Sequence, residues 1–98
     1  MKKPALRYYE AARNTAKRLH PSVKTFVKKA VEDLQDNPYA GKELMDDLEG
    51  FRSLAAGKYR IIYRCDDERG VLEVCFIGHR RDVYMNFREV LEEIRALK

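Results

Sequence analysis

The spacing of apolar residues predicts two helices in the first part of the chain. Glu10 to Leu19 has helical spacing, and His20-Pro21 ends this segment because the residue before proline avoids the helical region. A second helix starts at Pro21 and ends at Asn37-Pro38. Its core-facing stripe consists of Val23, Phe26, Val27, Ala30, Val31 and Leu34. The pattern therefore predicts an antiparallel helical hairpin, preceded by a weak strand at Ala5 to Tyr9.

After a predicted loop with a short helical turn at Tyr39 to Gly50, the apolar period changes to two. Gly57 and the stretch from Asp66 to Gly70 are predicted turns. A last helix is expected from Asn86 to Leu97, with Asn86 and Glu89 at the spacing of a capping box. Three segments rich in β-branched and aromatic residues are predicted strands: Phe51 to Ala56, Lys58 to Asp66 and Val71 to Gly78.

A four-residue loop at 67–70 would set the register of the last two strands. Arg64 then faces Glu73, Ile62 faces Cys75, and Arg60 faces Ile77. One face of this hairpin becomes almost wholly apolar: Tyr59, Ile61, Tyr63, Cys65, Leu72, Val74 and Phe76. The other face is mixed and partly basic: Arg60, Ile62, Arg64, Glu73, Cys75, Ile77 and His79.

These elements predict an α+β fold in a single domain spanning residues 1–98. The helical hairpin is expected to pack on the apolar face of a small, mainly antiparallel, twisted sheet of about four strands, with a C-terminal helix following. The mixed face should stay open, with Phe51, Ser53 and Ala55 on it. Function is therefore expected on the open face.

Composition narrows the class of protein. With 37% charged and 45% hydrophobic residues, the chain is neither disordered nor a membrane protein. The N-terminal lysines have no apolar run behind them, so we expect no secretory signal and a cytoplasmic protein. Cys65 and Cys75 fit no zinc pattern and fall on opposite predicted faces, which argues against a disulfide between them.

Positive charge is concentrated near the N-terminus. Residues 1–29 hold nine Lys/Arg and one acid, Glu10, whereas the whole chain has a net charge of +4. Such an excess favours an anionic partner, although a solvated basic helix face has the same composition.

The densest group of functional side chains is Gly78-His79-Arg80-Arg81-Asp82-Val83-Tyr84, at the end of the last strand. Arginine binds phosphate through a planar fork, histidine titrates near neutrality, and tyrosine stacks on bases or donates a proton. With Arg60 nearby, these residues could bind RNA and assist attack of a ribose 2′-hydroxyl on the adjacent phosphate, without a metal. The alternatives are a solvated loop and, for Arg64, a salt bridge to Glu73.

Leu48 to Asp67 (LEGFRSLAAGKYRIIYRCDD) and Leu72 to Tyr84 (LEVCFIGHRRDVY) resemble the RelE/ParE superfamily of type II toxin–antitoxin toxins. The chain is more similar to the RelE branch, because GHRRDVY ends in tyrosine. The resemblance implies a cofactor-free, ribosome-dependent mRNA endoribonuclease that inhibits translation. It implies phosphate contacts for Arg60 and Arg80, stacking or proton transfer for Tyr84, and a place beside them for His79.

The resemblance also implies partners: a cognate antitoxin, mRNA on the ribosome, and ribosomal RNA. An acidic or amphipathic antitoxin segment is expected to cover the basic surface and the groove beside the C-terminal helix. Eight cations are predicted to contact ribosome or RNA: Arg13, Lys17, Arg18, Lys24, Lys28, Lys29, Lys58 and Arg81.

The chain departs from the family on the first central strand, where substrate-facing residues are often basic. Phe51, Ser53 and Ala55 occupy those positions, and Arg52 has the opposite parity. Two alternatives to the ribonuclease therefore stay open. One is a ParE-like topoisomerase inhibitor, and the other is a catalytically weak RelE-fold protein that only binds its antitoxin.

Overall fold

A computed structural model of the protein describes residues 3–96 and contains three α-helices and a five-stranded sheet. The predicted α+β class is confirmed. No helix within these residues combines the length and hydrophobicity needed to cross a bilayer. In chain order the elements are β1 (Ala5–Tyr8), α1 (Glu10–Arg18), α2 (Pro21–Asp36), β2 (Lys42–Glu43), a 3₁₀ turn (Asp46–Leu48), β3 (Arg52–Ala56), β4 (Tyr59–Asp66), β5 (Val71–His79) and α3 (Val83–Ala96).

The strand order is β1-β5-β4-β3-β2, with β1 parallel to β5 and the other neighbours antiparallel. The sequence did not predict β2, a two-residue strand inside the expected loop. It forms beside β3, where Arg52 donates hydrogen bonds to the Gly41 carbonyl at 2.8 Å and to Glu43 at 3.0 Å. The side chain of Arg52 therefore fixes this edge of the sheet.

The helical hairpin packs on one face of the sheet, as predicted. Because both helices place their apolar stripes against the same sheet face, this cluster forms the larger part of the core. Its buried residues are Ala12, Val27, Val31, Leu34, Ala56, Ile61, Tyr63, Leu72, Val74 and Ile77.

The predicted register holds only for the turn-proximal half of the β4–β5 hairpin. Arg64 pairs with Glu73, and their side chains form a salt bridge at 3.4 Å. A β-bulge between Ile62 and Tyr63 then shifts the register, so that Ile62 faces Phe76 and Arg60 faces Gly78. The predicted pairings of Ile62 with Cys75 and of Arg60 with Ile77 are wrong, because a bulge inserts one extra residue into one strand.

The second sheet face is not open, which corrects the prediction. After the bulge Phe76 lies on this face, where α3 and the 3₁₀ turn cover it. The apolar stripe of α3 must be buried, and the first face is already occupied by the helical hairpin. The buried residues of this second cluster are Leu48, Ile62, Cys75, Phe76, Val83, Phe87 and Leu91.

The start of α3 also differs from the prediction. The helix begins at Val83 rather than Asn86, and the amide of Asn86 donates to the Asp82 carbonyl at 3.0 Å. Asn86 therefore lies inside the first turn, and the capping-box assignment is wrong. The predicted end at Leu97 lies outside the described residues.

Cys65 and Cys75 are free thiols that pack in different core clusters, which confirms their predicted separation. Burial raises the pKa of the Cys75 thiol from 9.0 to about 12. Burial likewise raises the pKa of Tyr9 from 10.0 to about 12. At neutral pH both groups are protonated in the folded and the unfolded chain.

As pH rises through this range, the unfolded chain loses the Cys75 proton before the folded chain does. The free energy of unfolding should therefore fall from about pH 9 towards pH 12. Urea unfolding across this range measures the slope. Cys75→Val keeps an apolar side chain of similar size without the titrating thiol, so its slope should be shallower. An unchanged slope would show that Cys75 is not the group responsible.

Candidate functional site

The beginning of α3 lies directly against the end of β5, and this contact shapes the site. A Cβ atom on Gly78 would lie 3.0 Å from Cγ2 of Val83 and 3.2 Å from the ring of Phe76. Only a residue without a side chain allows this close approach. Gly78 is the register partner of Arg60, so the first turn of α3 is held beside Arg60.

Tyr84 and Ser53 connect α3 to the neighbouring strand. The Tyr84 hydroxyl donates to Oγ of Ser53 at 3.0 Å, and Ser53 is only 7% exposed. Ser53 pairs with Ile62, while Arg60 pairs with Ala55 two positions further along β3. Tyr84, Ser53 and Arg60 therefore occupy the same part of the α3-covered face.

Arg60 carries a charge that no carboxylate balances within residues 3–96. Its guanidinium makes a long hydrogen bond to the Tyr59 carbonyl at 3.4 Å and forms no salt bridge there. Arg64 and Arg52, in contrast, are paired with Glu73 and Glu43. The positive end of the α3 dipole lies on the same side, so this surface favours an anion.

Two turns meet next to this surface. The Arg80 amide donates to the Lys58 carbonyl at 2.8 Å, which joins the β3–β4 turn to the segment between β5 and α3. The side chains of Lys58, Arg80 and Arg81 are exposed and form no salt bridge within the described part of the chain. The structure thus brings the predicted site residues Arg60, Arg80 and Tyr84 to one end of the sheet.

His79 does not lie on the face of Arg60, which corrects the predicted placement. It pairs with Tyr59, and the two rings lie 5.7 Å apart at 71°. Tyr59 packs against the cluster of the helical hairpin. The β-bulge is the cause, because it exchanges the two faces for every later residue of β5. The catalytic role suggested for His79 stays a prediction.

The helical hairpin presents its predicted cations to solvent. Lys29 forms a salt bridge to Asp33 at 2.9 Å, and such exposed pairs contribute little. Arg13, Lys17, Lys24 and Lys28 line a cavity of about 380 Å³ between the two helices, with Tyr8, Ala16, Leu19, Val27 and Ile77 as its apolar lining. Arg18 is exposed outside this cavity.

The unusual residues on β3 have a structural explanation. Phe51 packs edge-on against Phe87 at 5.0 Å, and Ser53 is buried beneath Tyr84. A cation at either position would be placed under α3. Ala55 is exposed and remains available to a substrate. The role of Ser53 could not be found in the sequence, because Tyr84 is 31 residues away.

Within residues 3–96, no group of three or more His, Cys, Asp or Glu side chains is arranged to hold a metal ion. The polar side chains that the structure brings to this end of the sheet are arginines, a tyrosine and a lysine. The predicted metal independence of the reaction stays a prediction.

Two solved structures that are similar to this chain are toxin–antitoxin complexes. The toxin–antitoxin complex RelBE2 from Mycobacterium tuberculosis superposes with a TM-score of 0.74 and 32% identity, over 80% of this chain and 99% of that chain. The RelBE complex of E. coli gives a TM-score of 0.67 over 78% of this chain and 95% of that chain; at 22% identity it shows the shared fold.

Sequence comparison gives the family. Residues 3–84 match the family described as ParE toxin of type II toxin-antitoxin system, parDE. The toxin RelG of Mycobacterium tuberculosis is 35% identical over 81 residues, which are 81% of this chain and 93% of RelG. Toxin RelE of the same organism is 40% identical over 52 residues, 52% of this chain and 54% of RelE. The chain therefore belongs to the RelE/ParE superfamily of type II toxin–antitoxin toxins.

Proposed function

We propose that this toxin is a ribosome-dependent mRNA endoribonuclease that inhibits translation. The observation that carries the proposal is the Arg60 guanidinium, which forms no salt bridge within residues 3–96, on the same sheet face as Tyr84, whose hydroxyl donates to buried Ser53. A relative named RelE and a solved structure of RelE support the choice of this branch of the superfamily.

The proposed reaction is attack of a ribose 2′-hydroxyl on the adjacent phosphorus. A bond from the 2′-oxygen to phosphorus forms, the bond from phosphorus to the 5′-oxygen breaks, and one proton moves from the 2′-oxygen to the leaving oxygen overall. Negative charge increases on the phosphate in the transition state. Arg60 and Arg80 would stabilise that charge through donors fixed in advance.

Tyr84 is suited to two roles at the same phosphate. Its ring can stack on the flanking base, and its hydroxyl can deliver the proton to the leaving oxygen. The hydrogen bond to Ser53 fixes the position of the hydroxyl oxygen before substrate binds. To protonate the leaving oxygen, the hydroxyl would turn its proton from Ser53 to the substrate.

The two roles of Tyr84 predict different results for two substitutions. Tyr84→Phe keeps the ring and removes the proton, so a proton-donating role would lower cleavage by about 10²–10⁴. Tyr84→Ala should lower it further and also weaken substrate binding. Single-turnover cleavage on programmed ribosomes measures both variants. Wild-type cleavage by Tyr84→Phe would leave stacking as the role of this residue.

The helical hairpin is the proposed contact to ribosomal RNA, through the cations around its 380 Å³ cavity. The same surface suits the proposed antitoxin partner, because an acidic amphipathic segment would match both the cations and the apolar lining. The solved relatives RelBE2, the E. coli RelBE complex and an archaeal RelE–RelB complex were determined with antitoxin bound, which supports a cognate antitoxin here.

A second candidate function is inhibition of a topoisomerase, which the match to the ParE toxin family favours. Induced expression separates the two. A ribonuclease would stop protein synthesis first and leave cut messages, whereas a topoisomerase inhibitor would stop DNA replication and induce a DNA-damage response. A toxin that produces neither effect would fit a member that only binds its antitoxin.

A further inference from the structure

Three aromatic side chains lie on the helical-hairpin side of the sheet, whereas Arg60 lies on the side that α3 covers. Phe26 of α2 is 56% exposed, and its ring lies 3.7 Å from the position of a Cβ on Gly57. Tyr59 follows two residues later, and its ring meets that of His79 edge-on at 5.7 Å. Phe26 thus lies against the β3–β4 turn at Gly57, and the Tyr59–His79 pair lies where β4 leaves the same turn; we call these three residues the aromatic patch.

The patch differs from the other exposed apolar residues. Tyr39 is held by a 2.6 Å hydrogen bond to Asp67 and by stacking against Arg52, so its ring is already used. Phe26 has no polar atom that would explain its exposure. A single exposed apolar residue needs no explanation, but one grouped with two further rings at a cationic turn does.

Cations frame the aromatic patch. Lys58, Arg80 and Arg81 belong to the two turns that meet beside it, and none forms a salt bridge within residues 3–96. The Arg81 amide donates to Nδ1 of His79 at 3.3 Å, so the neutral ring carries its proton on Nε2. This N–H group is a further hydrogen-bond donor at the patch. Asp82 is the one acidic residue in this connecting segment, and its side chain is exposed.

We infer that the aromatic patch binds a nucleobase of single-stranded RNA by stacking. Aromatic rings that reach the surface, combined with Lys and Arg side chains, are the arrangement by which proteins hold single strands, because every base has a π-face and every nucleotide carries a phosphate. In the patch the Phe26 ring is exposed, and the Tyr59 and His79 rings are half-buried. The three cations would hold the phosphates of the strand. An acidic peptide would use the same cations but gains less from three rings.

The position of the patch gives it a role in the proposed reaction. Arg80 follows His79 directly, and its amide is bonded to the turn that contains Lys58, while Arg60 pairs with Gly78 two residues before Arg80. A strand with its scissile phosphate at Arg60 could therefore pass over this turn, with a nearby base on the patch. This role rests on the proposed ribonuclease function, whereas stacking on the patch can be measured without cleavage.

The test is a titration of the full-length protein with a fluorescein-labelled single-stranded oligoribonucleotide that contains one 2-aminopurine. Phe26→Ala and Phe26→Leu should both bind at least about fivefold more weakly than wild type, because leucine restores apolar bulk but not a stacking ring. Met45→Ala is the matched control, since Met45 is 71% exposed in the loop before the 3₁₀ turn, and it should bind within about twofold of wild type.

His79 provides a second and independent variant pair. His79→Ala should weaken binding and reduce the 2-aminopurine quenching, and His79→Phe should restore both by returning a ring. Circular dichroism of each variant confirms that the fold is intact.

The inference is overturned if wild type does not bind the oligoribonucleotide, or if Phe26→Leu binds as wild type does. It is also overturned if Phe26 variants bind RNA normally and lose affinity only for an acidic antitoxin segment, because the patch would then serve the protein partner. Loss of binding in the Phe26 variants supports the patch even if programmed ribosomes are not cut, so the two proposals can fail separately.

Discussion

Arg60→Ala and Arg80→Ala are each expected to lower the rate of message cleavage at least about a hundredfold. Both side chains would place charged donors on the phosphate, and removing one such oriented donor typically costs about 10²–10³ in rate. Arg60 is unpaired within the described residues and Arg80 is exposed, so neither substitution breaks a salt bridge there. Single-turnover cleavage of a defined message on ribosomes measures the effect.

Arg64→Ala is the matched control for Arg60→Ala. It removes the same charge from the same strand, but Arg64 is already paired with Glu73. Its cleavage rate should stay within about threefold of wild type. Arg60→Lys adds a second comparison, because lysine keeps the charge and loses the planar fork. Equal losses for Arg64→Ala and Arg60→Ala would show that net charge, rather than the position of Arg60, controls activity.

Phe87→Ala is expected to destabilise the protein by about 3–5 kcal/mol. Phe87 is fully buried, meets Phe51 edge-on at 5.0 Å and stacks with Phe76 at 6.1 Å. A domain of this size has a total stability of about 5–15 kcal/mol, so the loss is a large fraction of the whole. Urea unfolding followed by circular dichroism measures it.

Met85→Ala is the control on the same helix, because Met85 is 58% exposed. Its effect should stay within about 0.5 kcal/mol. A loss below about 1 kcal/mol for Phe87→Ala would contradict the packing of α3 on the sheet. In that case the position of Tyr84, which lies in the first turn of α3, would also have to be reconsidered.

The parts of the fold that the sequence predicted well are those with a repeated pattern. The apolar positions from Val23 to Leu34 repeat at helical spacing, so the extent of α2 and its buried residues Val27, Val31 and Leu34 follow the prediction. The prediction that Phe26 faces the core is wrong, because its side chain is 56% exposed. The Arg64–Glu73 pair was predictable because it lies close to the turn that sets the register. In both cases, residues that are close together in the sequence are sufficient to predict the structure.

The errors in strand pairing and in the assignment of the sheet faces come from one feature, a β-bulge that the sequence does not mark. Cys75 is the residue that the pairing skips at this bulge, and no glycine or proline marks the position. The register counted from the turn is therefore wrong beyond it. The bulge moves Phe76 onto the face covered by α3 and His79 onto the face of Tyr59. A sheet face predicted to be open is therefore partly buried, and His79 is separated from Arg60.

The candidate site was predictable in its residue types but not in its assembly. Arg60, Arg80 and Tyr84 were named from their spacing and from the family resemblance, and the structure brings them to one end of the sheet. Ser53 was named as a missing cation, whereas the structure shows it as the hydrogen-bond partner of Tyr84. A contact between residues so distant in the chain depends on how α3 packs, which periodicity does not encode.

Cleavage of a defined message on programmed ribosomes by the purified, antitoxin-free protein tests the central claim most directly. We expect that the wild-type protein cuts the message and that Arg60→Ala, at equal ribosome occupancy, cuts it at least about a hundredfold more slowly. An intact message at every concentration at which the wild-type protein binds the ribosome would contradict the claim.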